Sequence, residues 1–492
     1  MALKPRKTVL LYINGVRHEI GADRAGWMLA DYLRVSMGLT GTKIVCAEGD
    51  CGACTVLRFF PGLGKKNAGR SREFLSVNSC ITTIAQLDGS SLVTIDALAK
   101  GDELNPVQEA MKSCHGSQCG FCTPGFVMAL SGLVEKKIGA GVGGKLDRKE
   151  AQNALTGNLC RCTGYQQIVD AAASFEVRTC DSVGKRFYNG AQEKELKAAL
   201  AKPVSLASEE FIFFAPVGLG EACRFLARAP AARPLASATD LGVVHNKGIR
   251  RIEKALSLHL VPELYALKIS SSGVVSAGAR VTLAELRRAL KEKCPEVARF
   301  LDLFASPQIK NIATLVGNVA NASPIADTPP FLLACNAVVK IAGPRGKRSV
   351  PLKEFYLGYR KTDLRKGELV ASIEFTLPAA GELFALYKVS ERKDLDISCV
   401  NAGLALGLDK KGAIRGARLA FGGMAATPVR VARTEKILEG KVPSAELLRE
   451  AQASLQDELT PLSDVRGSSA FRRVLAGNLL KRFFREKLEI QS

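Results

Sequence analysis

Fourteen cysteines occur in 492 residues, and ten of them lie within the first 180. With Cys114 and Cys180 set aside, eight of those ten fall into two sets of four: Cys46, Cys51, Cys54 and Cys80, then Cys119, Cys122, Cys160 and Cys162. Four soft, ionisable sulfurs drawn to one place need a positive centre to compensate them, so each set commits its stretch of chain to wrapping metal. Disulfides are the other use of clustered cysteines, but the apolar run 9–13 is cut by Asn14-Gly15 before a secretory segment forms. No apolar stretch approaches the ~18 residues of a membrane helix. The chain is therefore expected to be cytoplasmic, with no membrane partner, and its length asks for roughly three or four domains.

The first set reads Cys-x4-Cys-x2-Cys, followed after twenty-five residues by Cys80. That is the plant-type ferredoxin spacing, and four thiolates suit a [2Fe-2S] cluster, with Gly49 and Gly52 letting backbone N–H groups approach the sulfurs. A four-cysteine zinc site is the alternative, although zinc usually takes two short cysteine pairs. Ahead of this loop, TVLLYINGVRHEI (8–20) sets Asn-Gly between two strand-like runs and predicts a two-residue hairpin. A helix is expected over 27–35.

In the second set, Cys119-Gly-Phe-Cys122 precedes a helix-like run at 126–134, and Cys160-Arg-Cys162 precedes another at 168–175. Helix N-termini carry free N–H groups and positive dipole ends, which suit an anionic cluster and predict a helical [2Fe-2S] domain. Gly139, Gly141 and Gly144 satisfy the G-x-G-x-x-G dinucleotide pattern, but they follow a helix rather than a strand, so a surface loop is expected there. Cys114 and His115 are read as local packing residues. The excess of 69 basic over 48 acidic residues would raise nucleic acid as a partner, yet the charges are scattered and no nucleic-acid motif is present, so none is expected.

EGDCGACTV (48–56), GSQCGFCTPGF (116–126) and TGNLCRCTGY (156–165) resemble the iron–sulfur/FAD subunits of the molybdenum hydroxylase family, in particular the small subunit of bacterial xanthine dehydrogenases. The resemblance spans nearly the whole chain and implies an α+β multidomain fold. It would comprise a β-grasp plant-type ferredoxin domain (1–95), a helical-bundle [2Fe-2S] domain (96–180), and, after a linker (181–203), two flavoprotein domains. These are an α+β FAD-binding domain of the vanillyl-alcohol-oxidase-like (PCMH) type (204–380) and an α/β flavoprotein C-terminal domain (381–492).

The segments FASPQ (304–308), IATLVGNVANASPIAD (312–327) and FYLGYRKT (355–362) carry the flavin part of the likeness. The resemblance implies FAD contacts from Leu235, Ala236, Ser237, Ala238, Thr239, Asp240 and Leu241, from Phe304 and Ala305, and from Thr314, Gly317, Asn318, Ser323 and Asp327. Val370 and Lys388 complete that set. Loop 235–242 and turn 314–318 would hold the pyrophosphate with amides and short hydroxyls. Two departures stand out: the family has glycine at Ser237, often also at Ala238, and at Val316. A β-branched residue is costly at positive φ, so Val316 implies either an ordinary backbone or a weakened flavin site.

Nothing in the chain is expected to hold molybdopterin or a purine, so the resemblance implies a separate molybdopterin-binding large subunit, in a heterotetramer of two small and two large chains. Gln118 would face the pterin. Two [2Fe-2S] clusters and FAD would then pass electrons from hypoxanthine and xanthine oxidation to NAD⁺. The alternatives are a subunit of another molybdenum hydroxylase acting on an aldehyde or N-heterocycle, or a zinc-bearing structural module.

Overall fold

Asn14 and Gly15 both take positive φ, 53° and 81°, which matches the turn to the right-handed twist of β1 (Val9–Ile13) and β2 (Val16–Ile20). With β3 (Thr55–Phe59), β4 (Leu75–Asn78) and β5 (Ser91–Val93) they form one sheet in the order β2-β1-β5-β3-β4, β1 and β5 running parallel. This computed structural model describes residues 3–63 and 73–490, so the outer limits expected for the first and last domains, 1 and 492, lie outside the described residues. The chain divides into two units, Met1–Glu263 with Ser306–Ala313, and Leu264–Ala305 with Thr314–Ser492.

In the first unit, the helix expected at 27–35 is shorter, Leu29–Asp31 continuing as a π turn over Tyr32–Ser36. Trp27 and Met28 are drawn out instead: Ile84 N–H donates to Trp27 O at 3.0 Å, and Met28 bridges Thr83. Leu29 and Leu33 fall in one apolar core with Val9, Leu11 and Ile13. Four helices follow, α1 (Pro106–Ser113), α2 (Thr123–Gly139), α3 (Arg148–Leu155) and α4 (Gln166–Ser174). Asn105 and Gln108 make a reciprocal cap at the start of α1. Helix α2 buries Phe126, Met128, Leu130 and Leu133 in a core shared with Leu57 and Phe59 of β3. It ends at Gly139, and Gly141 turns away at φ 71°, so the glycine-rich stretch is a loop between helices.

Residues 181–203, expected to be a linker, carry α5 (Val183–Phe187) and α6 (Gly190–Leu200), with Ser182 and Asn189 as caps. Phe187, Leu196 and Leu200 are buried. The polar composition belongs to the outward faces and caps of two short helices, which is what made the stretch read as a linker. Next come β6 (Val204–Ala207), β7 (Ile212–Ala215), α7 (Leu219–Arg228), β8 (Arg233–Leu235), α8 (Thr239–Asn246) and β9 (Lys254–Ser257). Their sheet runs β6-β7-β9-β8, with β7, β9 and β8 parallel.

The second unit holds an antiparallel sheet, β10-β11-β14-β12-β13, from Leu267–Ile269 (β10), Val274–Gly278 (β11), Val338–Gly343 (β12), Gly346–Pro351 (β13) and Leu369–Thr376 (β14). Its helices are α9 (Leu283–Leu290), α10 (Pro295–Leu303), α11 (Leu315–Ala320) and the fully buried α12 (Thr328–Ala334). A last sheet joins β15 (Leu383–Val389), β16 (Val400–Leu408), β17 (Ile414–Gly422) and β18 (Val429–Arg430) in sequence order. It is covered by α13 (Ala432–Leu438), α14 (Ala445–Glu458) and α15 (Ser469–Leu488), with Leu404, Leu419, Leu448, Leu480 and Phe483 in one core. Among the described residues, no helix is long and apolar enough to cross a membrane.

Candidate iron–sulfur and flavin sites

Cys54 ends the first cysteine loop against β3, and Cys80 follows β4 in a 3-10 turn, so two neighbouring strands deliver these sulfurs side by side, 3.2 Å apart. Cys46 closes the set through sulfur contacts with both Cys51 and Cys80. Among the described residues no three His, Cys, Asp or Glu side chains form a site for a single ion; these sulfurs meet in a chain, Cys51–Cys46–Cys80–Cys54. Two sulfurs for each of two irons is what a [2Fe-2S] cluster asks of such a loop, and the donor set fits it.

The loop backbone points inward. Ala47, Gly49 and Gly52 all lie at positive φ (54°, 75° and 68°), and the N–H groups of Glu48 and Cys51 donate to Cys46 Sγ at 3.5 and 3.4 Å. Hydrogen bonds from Cys51 and Cys80 hold Cys46 far below an ordinary thiol, whereas those same bonds, with burial, push Cys51 and Cys80 up. Cys54 is held low by its bond from Cys80, against burial. So crowded a set of sulfurs is suited to binding a cation.

In the second set Cys122 caps α2, and Cys160 and Cys162 stand before α4. Cys122 meets Cys160, and Cys119 meets Cys162, again two pairs of sulfurs. Burial, then the bond to Cys160, pushes the Cys122 thiol up to about 12. Burial works to raise Cys160 too, but the Thr163 hydroxyl at 3.2 Å and the N–H groups of Cys162 and Thr163, each at 3.4 Å, keep it low. Cys162 is raised by its bond to Cys119. Tyr165 enters α4 at φ 71° and its hydroxyl accepts from Cys160 N–H at 2.9 Å, pinning the loop. Gln118 and Cys119 are exposed beside this set, while Cys114 packs against the helical core and His115 turns away at φ 53°.

The two cysteine loops touch. Cys51 O accepts from Leu159 N–H at 2.9 Å, one residue before Cys160. Gly52 O accepts from Thr55 Oγ1 (2.6 Å) and Asn158 Nδ2 (3.1 Å), and Gln308 Nε2 donates to Thr55 Oγ1 (3.2 Å) and Asn158 Oδ1 (2.9 Å). A Cβ on Gly52 would lie 2.2 Å from Gly157 O, so only glycine fits. Thr55, Asn158 and Gln308 were given no role by sequence reasoning. All three stood inside the quoted motifs, which was the only signal available.

The residues expected at FAD occur as follows. In the first unit, Leu235 ends β8, Ser237 O accepts from Gln86 Nε2 at 2.7 Å, and Ala238, at φ 56°, is the left-handed residue that starts α8 through Thr239, Asp240 and Leu241. The conformation that favours glycine is thus retained on alanine, at about 1 kcal/mol. In the second unit, Thr314 caps α11, its hydroxyl accepting from Gly317 N–H at 3.0 Å, and Val316 is an ordinary buried helical residue. Of the two outcomes posed for Val316, the ordinary backbone is the one observed.

Also in the second unit, Asn318 Oδ1 accepts from Thr328, and Asp327 accepts from Lys388 Nζ (2.6 Å), Ser398 and Asn401 Nδ2 (2.9 Å). Lys388 Nζ stands 6.0 Å from the Phe304 ring centroid. Ala305 takes φ 55°, as Ala322 does at 52° beside Ser323, and Val370 is buried in β14 opposite Ile341, at a bulge. Asn401 was missed, although an asparagine within the apolar strand VNAGLALGL is a visible signal. The buried Asp327 carboxylate thus gathers an ammonium, a hydroxyl and an amide into one polar cluster.

The domain family described as FAD binding domain in molybdopterin dehydrogenase matches residues 208–379. The CO dehydrogenase flavoprotein C-terminal domain matches 385–487, and a [2Fe-2S] binding domain matches 94–173. Xanthine dehydrogenase 1 of Arabidopsis thaliana is 32% identical over 96% of this chain and 39% of its own length. This chain is homologous to the iron–sulfur and flavin region of the molybdenum hydroxylases. The xanthine dehydrogenase/oxidase of Rattus norvegicus is 30% identical, again over 39% of its length, so the chain spans about two fifths of these curated relatives. Among solved structures, a carbon monoxide dehydrogenase from Hydrogenophaga pseudoflava (26% identity, TM-score 0.54) is similar over 58% of this chain and 99% of that one. Quinoline 2-oxidoreductase from Pseudomonas putida 86 (27%, TM-score 0.52) is similar over 58% and 99%. The chain is thus an iron–sulfur/FAD electron-transfer module of this oxidoreductase family.

Proposed function

We propose that the chain is the electron-transfer subunit of a xanthine dehydrogenase, linking hypoxanthine and xanthine oxidation in a molybdopterin-binding large subunit to NAD⁺. Two [2Fe-2S] clusters, held by Cys46, Cys51, Cys54 and Cys80 and by Cys119, Cys122, Cys160 and Cys162, and one FAD are part of the reading. So is a complex of two small and two large chains. When bound, the clusters carry single electrons, and the flavin accepts one at a time and gives up two.

The observation that carries the reading is the Cys51–Leu159 hydrogen bond, which joins the two cysteine loops one residue from Cys160. The chain's own residues do the rest. Ile44, Ile81, Val243 and Ile309 pack around Cys54 and Cys80 of the first set. The outer loop leaves Cys119, Cys162 and Gln118 open to a partner. The residues named above from Leu235 to Leu241 and from Thr314 to Asn318 are proposed as pyrophosphate contacts. Asp327, Lys388, Phe304, Ala305, Ser323 and Val370 are proposed around the flavin. The proposed domains are 1–95, 96–180, 204–380 and 381–492, joined by the helical stretch 181–203.

The likeness to quinoline 2-oxidoreductase favours an N-heterocycle hydroxylase as the second reading, separable through the large subunit's substrate. The test is xanthine-driven NAD⁺ reduction by the co-purified complex. Cys119→Ala is expected to abolish it while leaving NADH-to-dye activity in place; loss of both in a folded variant contradicts the proposed order of centres.

A further inference from the structure

Helix α8 runs from the proposed pyrophosphate loop to the first cysteine loop, and its last residue ends on that loop's carbonyls. Asn246 Nδ2 donates to Ala47 O and to Cys80 O, each at 2.7 Å. Ala47 is a non-glycine residue at φ 54°, a conformation that costs about 1 kcal/mol and must be held from outside. What it achieves is the direction of the next peptide: Glu48 N–H points at Cys46 Sγ. Cys80 is itself a sulfur donor, so one amide group ties the loop to the turn that carries the fourth sulfur.

The rest of α8 is fitted to the same task. Val243, one turn earlier, packs with Ile44 and Ile309 around Cys54, Cys80 and Ile81. At Gly242 a Cβ would lie 2.2 Å from Ile81 O, so the helix rests directly on the residue after Cys80. Just past the helix, Lys247 pairs with Glu48. Four positions of one helix and its cap therefore fix two short segments that carry sulfurs of the first set, 46–48 of the loop and 80–81 of the turn after β4.

We propose that α8 is a strut that sets the geometry of the first cluster, with Asn246 as the positioning residue that keeps the Ala47–Glu48 peptide turned toward Cys46. This rests on the iron–sulfur reading of Cys46, Cys51, Cys54 and Cys80. N–H···S bonds stabilise the more negative, reduced form of a cluster and so raise its potential. Losing the brace lets the Glu48 N–H swing away and disfavours reduction.

The test compares anaerobically purified full-length wild type with Asn246→Leu, nearly isosteric and without a donor, in an EPR-monitored reductive titration. The first cluster is expected to be about tenfold harder to reduce, a fall of about 59 mV for a one-electron couple, with the second cluster unchanged. A wild-type potential at full iron occupancy overturns the proposal. Should N246L not fold, Asn246→Ala, uncharged and equally unable to donate, decides by the same criterion. Amide hydrogen exchange at Glu48 and Cys51 in the metal-free proteins separates this proposal from the cluster reading. It should be about tenfold faster in the variant whatever metal the cysteines bind, and unchanged exchange overturns the brace even if no iron is found.

Discussion

In the first cysteine set Cys51, Cys54 and Cys80 are buried, Cys54 to 1% exposure, and the loop is braced by backbone N–H groups, Asn246 and the Gln308 network. In the second, Cys119 and Cys162 are exposed, and the loop is held mainly by its own Tyr165 and Thr163. Equal ligand counts thus sit in unequal surroundings. A strand-borne loop can seal its sulfurs behind side chains, whereas a pair of helix starts offers N–H groups and leaves its outer face bare. The first arrangement suits a centre that only passes electrons within the chain, the second a centre that meets a partner.

The comparison breaks most sharply at Gly52. Gly52→Ala places a methyl group on a residue at φ 68° and 2.2 Å from Gly157 O, and is expected to destabilise the first unit by roughly 3 kcal/mol or more and to perturb both EPR signals, read by thermal unfolding and spectroscopy. If only one signal changes, the loops are not coupled. Next comes Asp88, which takes a bidentate bond from Arg6, accepts Leu10 N–H at 2.8 Å and lies 3.2 Å from His259 Nε2. Burial works to raise its carboxyl, but Arg6 and His259 prevail and hold it at about 2. Because the folded value is depressed below the unfolded ~4, this stabilisation is complete above pH 4 and lost as pH falls toward 2, amounting to about 2 kcal/mol. Asp88→Asn should abolish that acid limb in urea unfolding across pH and leave both cluster spectra intact.

Gln308→Met is expected to cost roughly 1 to 2 kcal/mol and to alter the EPR line shapes of both centres slightly, since it removes donors to Thr55 and Asn158 and nothing at a sulfur. The smallest effect belongs to Cys114→Ser, which should leave iron content unchanged within error. A loss of iron there would move Cys114 into the ligand set.

The cysteine spacings, the Asn14-Gly15 hairpin and the glycine loop at 139–144 were legible because each depends on chemistry local to a few residues. Asn246, Gln308 and Asn158 were not, because an amide's role is set by carbonyls as far as about 200 positions away in the chain. The helices at 183–187 and 190–200 were hidden by polar outward faces, whereas Asn401, a lone amide in an apolar strand, was legible and overlooked.

The most direct measurement is the metal and acid-labile sulfide content of the full chain purified without oxygen, with EPR on reduction. About four iron and four sulfide per chain with two distinguishable reduced signals is the expected result. Zinc in their place, with colourless protein and no signal, would contradict the account.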